Sequence, residues 1–173
     1  GNYKNLGEER HNIDREKPER HYFARSMDGG ETWKIEDPSK DGILVARGTG
    51  LHGTEPVYPN RIEPTALSES INFTHPDFAM TMRFLNYNTG PSVFYYSYDR
   101  GHSWKGPFNL EVSGMSNILA RTDYIVLDHQ TCMAFLSQSK KDNQEGRPIC
   151  TITRDGGLTW ELVSEIGPEP EGF

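Results

Sequence analysis

The charged residues of this chain recur in short strings whose spacing could hold a ligand or move a proton. Arg121 and Asp123, in Arg121-Thr122-Asp123-Tyr124, alternate onto one side of an extended strand, where they form either an internal ion pair or a ligand clamp. Glu145 and Arg147 flank Gly146 in the polar loop Asn143-Gln144-Glu145-Gly146-Arg147, and are either solvated or functional there. Asp77 follows Pro76 and either takes backbone amides at a strand entry or does chemistry. His75 precedes the same proline in Asn72-Phe73-Thr74-His75-Pro76, a string that reads as a rigid turn. Arg10, His11, Asp14 and Arg15 make a further charged group near the start. The absence of CxxC and the scatter of the histidines argue against a zinc site, and no cofactor is expected.

These residues must be positioned by strands, and a repeat says which. Ser26-Met27-Asp28-Gly29-Gly30-Glu31-Thr32-Trp33, Ser97-Tyr98-Asp99-Arg100-Gly101-His102-Ser103-Trp104 and Thr153-Arg154-Asp155-Gly156-Gly157-Leu158-Thr159-Trp160 all fit S/T-x-D-x-G-x-S/T-W. The aspartate can accept downstream amide hydrogens, the glycine supplies a restricted backbone conformation, and the hydroxyls bond locally. The tryptophan should bury its ring at the start of the following strand. Short aromatic or β-branched runs precede each copy: His21 to Arg25, Val93 to Tyr96 and Ile149 to Ile152. Each copy therefore reads as a hairpin corner.

The pattern resembles the Asp-box, or BNR repeat, of sialidases and related β-propellers. The resemblance implies an all-β fold in which each box joins the third and fourth strands of a blade, away from the catalytic centre. The copies begin at 26, 97 and 153, spacings of 71 and 56 residues. Such spacings suit a four-stranded blade plus loops, so the chain is expected to supply about three blades of a six-bladed ring. The expected division is part of blade one over 1–37, a Pro- and Gly-rich connection over 38–71, blade two over 72–116 and blade three over 117–168. A second chain or a further segment would then close the ring.

Blade two should run Phe78–Leu85, Val93–Tyr96 and Trp104–Leu110, with an inner strand beginning near His75-Pro76-Asp77. Blade three should begin near Arg121–Tyr124 and continue through Ile125–Leu127, 131–138, 149–153 and Trp160–Ile166. In propellers the entry to the innermost strand and the loop between the second and third strands share the face opposite the boxes. That rule gathers Arg10, His11, Asp14, Arg15, His75, Asp77, Asn86, Asn88, Arg121, Asp123, Glu145 and Arg147 into one funnel. Sialidase-type sites hold a sugar carboxylate with arginines and use a carboxylic acid and a tyrosine assisted by a glutamate. By resemblance, Arg121, Arg147 and Arg10 or Arg15 bind substrate with His11 and His75, while Asp77, Asp123 and Glu145 are the catalytic candidates. Tyr124 is a nucleophile candidate by position alone, and its neighbours favour a core aromatic over that role. The nearest string to the Arg-Ile-Pro motif of those enzymes, Arg61-Ile62-Glu63-Pro64, is interrupted by Glu63. The implied function is a glycoside hydrolase acting on sialic acid or another anionic sugar; the alternatives are a noncatalytic carbohydrate- or protein-binding propeller, or a fragment that needs another segment to work.

Composition narrows the partners. The 25 acidic residues outnumber 18 Lys and Arg, leaving a net charge of -7 and no basic stripe, which argues against nucleic acid. No apolar run is long enough to span a membrane. A secreted or periplasmic location is implied by the resemblance only. Cys132 and Cys150 fall on adjacent strands and are expected as buried free thiols. Asn72-Phe73-Thr74 also fits the N-glycosylation acceptor pattern.

Overall fold

The computed structural model of this protein describes residues 3–5, 11–13, 23–36, 63–85, 89–121, 123–141 and 146–167. Among them every regular element is a β-strand. Contacts divide the chain into two units, Gly1–Ile43 and Leu44–Phe173.

The first unit holds two antiparallel pairs. β1 (Tyr3–Asn5) pairs with β2 (His11–Ile13), and β3 (Phe23–Arg25) pairs with β4 (Lys34–Glu36) across the first repeated turn. Arg25 Nε lies 3.0 Å from the Glu36 carboxylate, tying the two strands of this hairpin together.

The second unit holds two larger sheets. β5 (Ala79–Phe84), β6 (Ser92–Ser97) and β7 (Lys105–Leu110) form a three-stranded meander. The other sheet contains β8 (Ile118–Leu119), β9 (Tyr124–Val126), β10 (Cys132–Ser139), β11 (Gly146–Thr153) and β12 (Glu161–Glu165), in the order β12-β11-β10. β8 and β9 both pair with the free side of β10, at its end and its start respectively, so together they form one interrupted inner strand. The interruption is a local kink: the Asp123 amide donates to the Arg121 carbonyl at 3.0 Å, and the Asp123 carbonyl accepts from Phe135.

Alternation decides which faces meet. β5 buries Met80, Met82 and Phe84 while Ala79, Thr81 and Arg83 remain partly exposed. Met80, Met82, Phe94, Tyr96 and Leu110 of the first sheet share a core with Cys132, Ala134, Leu136, Ile149 and Trp160 of the second. Each fully buried side chain of this size contributes roughly 1.5–3 kcal/mol, so this interface is the main apolar support of the unit. β6 is buried along its whole length, with Val93 and Tyr95 on its other face against Leu85 and Trp104. β12 is exposed throughout, and Glu161 and Glu165 put charge on the sheet edge.

The expected strands from 78 to 166 largely form, with one correction. The inner strand expected near His75-Pro76-Asp77 is replaced by two consecutive turns, closed by His75 N–H to Asn72 O at 3.2 Å and Phe78 N–H to His75 O at 2.9 Å. Pro76 has no amide hydrogen, and the Asp77 amide is taken by His75 Nδ1 at 3.2 Å, so this stretch has little left for a ladder. The meander gains a short addition on its other side instead, where Thr65 bridges to Phe108 in parallel.

Both cysteines are buried and free. Cys132 pairs with Thr153 and Cys150 with Phe135, so the register separates the two thiols along the ladder. Burial pushes the Cys132 thiol up to about 12 and raises that of Cys150.

Candidate functional site

The three repeated turns share one hydrogen-bond scheme. In each, the first hydroxyl donates to the aspartate: Ser26 to Asp28 at 2.8 Å, Ser97 to Asp99 at 2.6 Å, Thr153 to Asp155 at 2.8 Å. That same hydroxyl accepts from the amide of the pattern glycine, Gly30, Gly101 or Gly157. The aspartate then accepts both the amide and the hydroxyl of Thr32, Ser103 or Thr159, the hydroxyls at 2.5 Å in every copy.

Each carboxylate is consequently acidic. The Thr32 hydroxyl and amide, with Ser26, bring Asp28 down to about 2. Burial pushes Asp99 and Asp155 upward, but the bonds from Ser103 and Ser97, and from Thr159 and Thr153, outweigh it and leave both lowered. These aspartates are fully occupied by turn construction.

The residue before the pattern glycine is left-handed in all three: Gly29, Arg100 and Gly156 have φ of 73°, 59° and 75°. At Gly156 a Cβ would come within 2.8 Å of the Ile71 backbone, so only glycine fits. Arg100 holds that conformation at a cost of about 1–2 kcal/mol. Its amide donates to the Asp77 carbonyl at 2.9 Å and its Nε meets the Asp77 carboxylate at 2.5 Å.

Asp77 therefore lies at the turn-bearing end of the meander, beside the Ser97 end of β6, and not at the opposite end where it was expected. His75 is there too, stacked on Tyr98 with ring centroids 4.4 Å apart. Neither joins the expected funnel. The cause is the replacement of the inner strand by turns, which brings residues 75–77 next to the corner they were expected to face away from.

The opposite end of the larger sheet has a different chemistry. A pocket of about 350 Å³ is lined by Ser116, Asn117, Gln138, Ser139, Lys140, Lys141, Arg147 and Glu165. Lys140 is 6 % exposed. Arg147 Nη2 lies 2.5 Å from Glu165 and donates to the Gly167 carbonyl at 3.3 Å, while its Nε is enclosed without a hydrogen-bond partner. Asn117 (φ 58°) turns the chain into β8, and its carbonyl accepts the Ser139 amide at 3.0 Å. Among the described residues that line it, three cations stand beside one carboxylate, a balance that suits an anion.

A larger cleft of about 720 Å³ adjoins it through Ser116 and Asn117. Among the described residues its charged lining is Glu111 and Glu161, so it is less suited to an anion than the smaller pocket.

The remaining candidates divide. Arg121 and Asp123 are both exposed between β8 and β9, with the Asp123 amide donating to the Arg121 carbonyl. The Arg121 guanidinium lies 5.7 Å from the Phe84 ring centroid, at the end of β5 away from the turns. Tyr124 is a core aromatic: its hydroxyl accepts the Met80 amide at 3.1 Å, its ring packs edge-on to Phe78, and burial raises its pKa. His11 lies in β2 of the first unit. Arg10, Asp14, Arg15 and Glu145 lie outside the described residues, as do 86–88, where further funnel residues were expected.

Lys140, Lys141 and Glu165 were not anticipated. The signal was present in the same topological rule, since Lys140-Lys141 close β10 and enter the loop that Arg147 leaves. No group of three His, Cys, Asp or Glu gathers to hold a metal among the described residues. No helix there is long and apolar enough to cross a membrane. Comparison of the chain with family models, with curated proteins and with solved structures gives no match.

Proposed function

We propose that this chain is part of a sialidase-like β-propeller that recognises an acidic sugar at the end of its sheets opposite the repeated turns. The observation that carries the reading is the separation of chemistry in the larger sheet: the Asp155 carboxylate of its turn is taken up by Thr153 and Thr159, while its other end presents Lys141 and Arg147. In this reading the pocket cations hold the sugar carboxylate by charge-assisted hydrogen bonds, and the enclosed Arg147 Nε is a donor awaiting an acceptor. Gln138 and the serines supply neutral partners for hydroxyl groups. Arg121 and Asp123, between β8 and β9 of the same sheet, extend the recognition surface, with Asp123 the remaining candidate acid.

Recognition without turnover is the reading favoured for this segment. Hydrolysis of the sialidase kind needs a nucleophile, and the partly buried Tyr124 hydroxyl is engaged in accepting the Met80 amide. Isothermal titration with N-acetylneuraminic acid tests the proposal, with N-acetylmannosamine as the neutral comparison. Binding with a dissociation constant on the order of 0.1–1 mM, confined to the acidic sugar, is expected. Equal binding of the two sugars, or none of either, would refute it. A fluorogenic sialoside incubated with the same sample is expected to remain intact.

A further inference from the structure

We propose that Asn72 is an acceptor for N-linked glycan in a secretory lumen, and that its glycan projects from the turn-bearing end and leaves the cationic pocket open. Asn72-Phe73-Thr74 is the chain's sole Asn-x-Ser/Thr string with a non-proline centre. Its three side chains part cleanly: Asn72 and Thr74 are exposed, while Phe73 is 2 % exposed and packs edge-on to Phe78 at 5.4 Å. Two anchors hold this division. The Ile71 amide donates to the Gly156 carbonyl and the Phe73 amide to the His129 carbonyl, both at 2.9 Å, pinning the backbone on either side of Asn72.

Asn72 Oδ1 accepts the Thr74 amide at 3.1 Å and the Thr74 hydroxyl at 2.9 Å, so the residues that define the acceptor pattern also orient its amide. Nδ2 has no hydrogen-bond partner among the described residues. A glycan there displaces no contact of the fold, because the apolar side chains on both sides turn inward. The anchoring carbonyl of Gly156 belongs to the third repeated turn, which places the acceptor at the end of the larger sheet away from Arg147.

In the transfer, Asn72 Nδ2 bonds to the anomeric carbon of a lipid-diphosphate-linked oligosaccharide. The bond from that carbon to the phosphate oxygen breaks, the lipid diphosphate leaves with the electron pair, and Nδ2 gives up one proton.

The test is secretion of the full chain from a eukaryotic cell, followed by intact mass and peptide mapping before and after peptide N-glycosidase. The expected result is occupancy at Asn72, conversion of that residue to aspartate on enzyme release, loss in Asn72→Gln and Thr74→Ala, and retention in Thr74→Ser. Secreted, folded wild-type chain with unmodified Asn72 would overturn the proposal. The second readout is titration of the glycosylated and the enzyme-released protein with N-acetylneuraminic acid. If wild-type chain binds at all, the two forms should agree within about twofold, and a glycan that abolishes binding would overturn the stated direction of projection.

Discussion

The two ends of the larger sheet are built from similar polar residues and do opposite things with them. At the turn end, Asp155 spends both carboxylate oxygens on Thr153 and Thr159, and Thr153 in turn takes the Gly157 amide. The hydroxyls of Thr153 and Thr159 and the Asp155 carboxylate are thus engaged with one another inside one eight-residue string, while Trp160 Nε1 is buried without a hydrogen-bond partner. At the other end, Glu165 is the one carboxylate among the described residues that line the pocket, beside Lys141 and Arg147, and Arg147 Nε is enclosed without a hydrogen-bond partner. In the proposed reading the first end is scaffold and the second is the site. A similar contrast separates the two clefts, since the charged residues described in the larger one are acids.

The comparison breaks most visibly at the tryptophans that close the turns. Trp160 is 2 % exposed in the core between the sheets, whereas Trp33 is 60 % exposed and bonds its indole N–H to the Gly30 carbonyl. Trp160→Ala is expected to cost about 4 kcal/mol in chemical denaturation, and Trp33→Ala about 1 kcal/mol or less. Similar losses would mean that the turn, and not the sheet behind it, sets the contribution of the ring.

Asp155→Ala comes next, with an expected cost of about 2 kcal/mol, because Thr153 is 1 % exposed and loses its acceptor. Its affinity for an acidic sugar should be unchanged. Arg147→Ala should do the reverse: about tenfold weaker binding, and no more than about 1 kcal/mol of stability, since Glu165 is 44 % exposed and regains water.

The smallest effect is in acid. Asp28 titrates near 2 in the folded chain against an ordinary value of 3.8, and Asp99 and Asp155 are lowered in the same direction. A depressed folded value means that the unfolded chain binds more protons, so the stabilisation is complete above about 4 and is lost as pH falls towards 2. Denaturation midpoints measured between pH 5 and pH 2 should fall across that window, and more shallowly in Asp155→Asn. A flat profile would detach the turns from stability.

How far the sequence foretold this molecule follows from the range of its signals. The strands around the second and third turns were legible because alternation and corner residues are local: β5, β6, β7, β10, β11 and β12 fall within a few residues of their expected limits. The stretch 72–78 was legible in part: Asn72 to Pro76 reads as a rigid turn and forms one, but the inner strand expected to begin near His75-Pro76-Asp77 gives way to a second turn that only the hydrogen bonds reveal. That error moved Asp77 and His75 to the wrong end. Arg147 was legible as the exit of a polar loop, and Lys140 was not, because a lysine at a strand end is ordinarily solvated and this one is buried. The difference between Trp33 and Trp160 was equally hidden, since matching turns carry no record of what covers them.

The most direct measurement titrates N-acetylneuraminic acid into the wild-type chain, Arg147→Ala and Asp77→Ala side by side. The account predicts saturable binding to wild type, the same affinity in Asp77→Ala, and about tenfold weaker binding in Arg147→Ala. Loss of binding in Asp77→Ala with full affinity in Arg147→Ala would contradict it, and would put the ligand at the end that carries the turns.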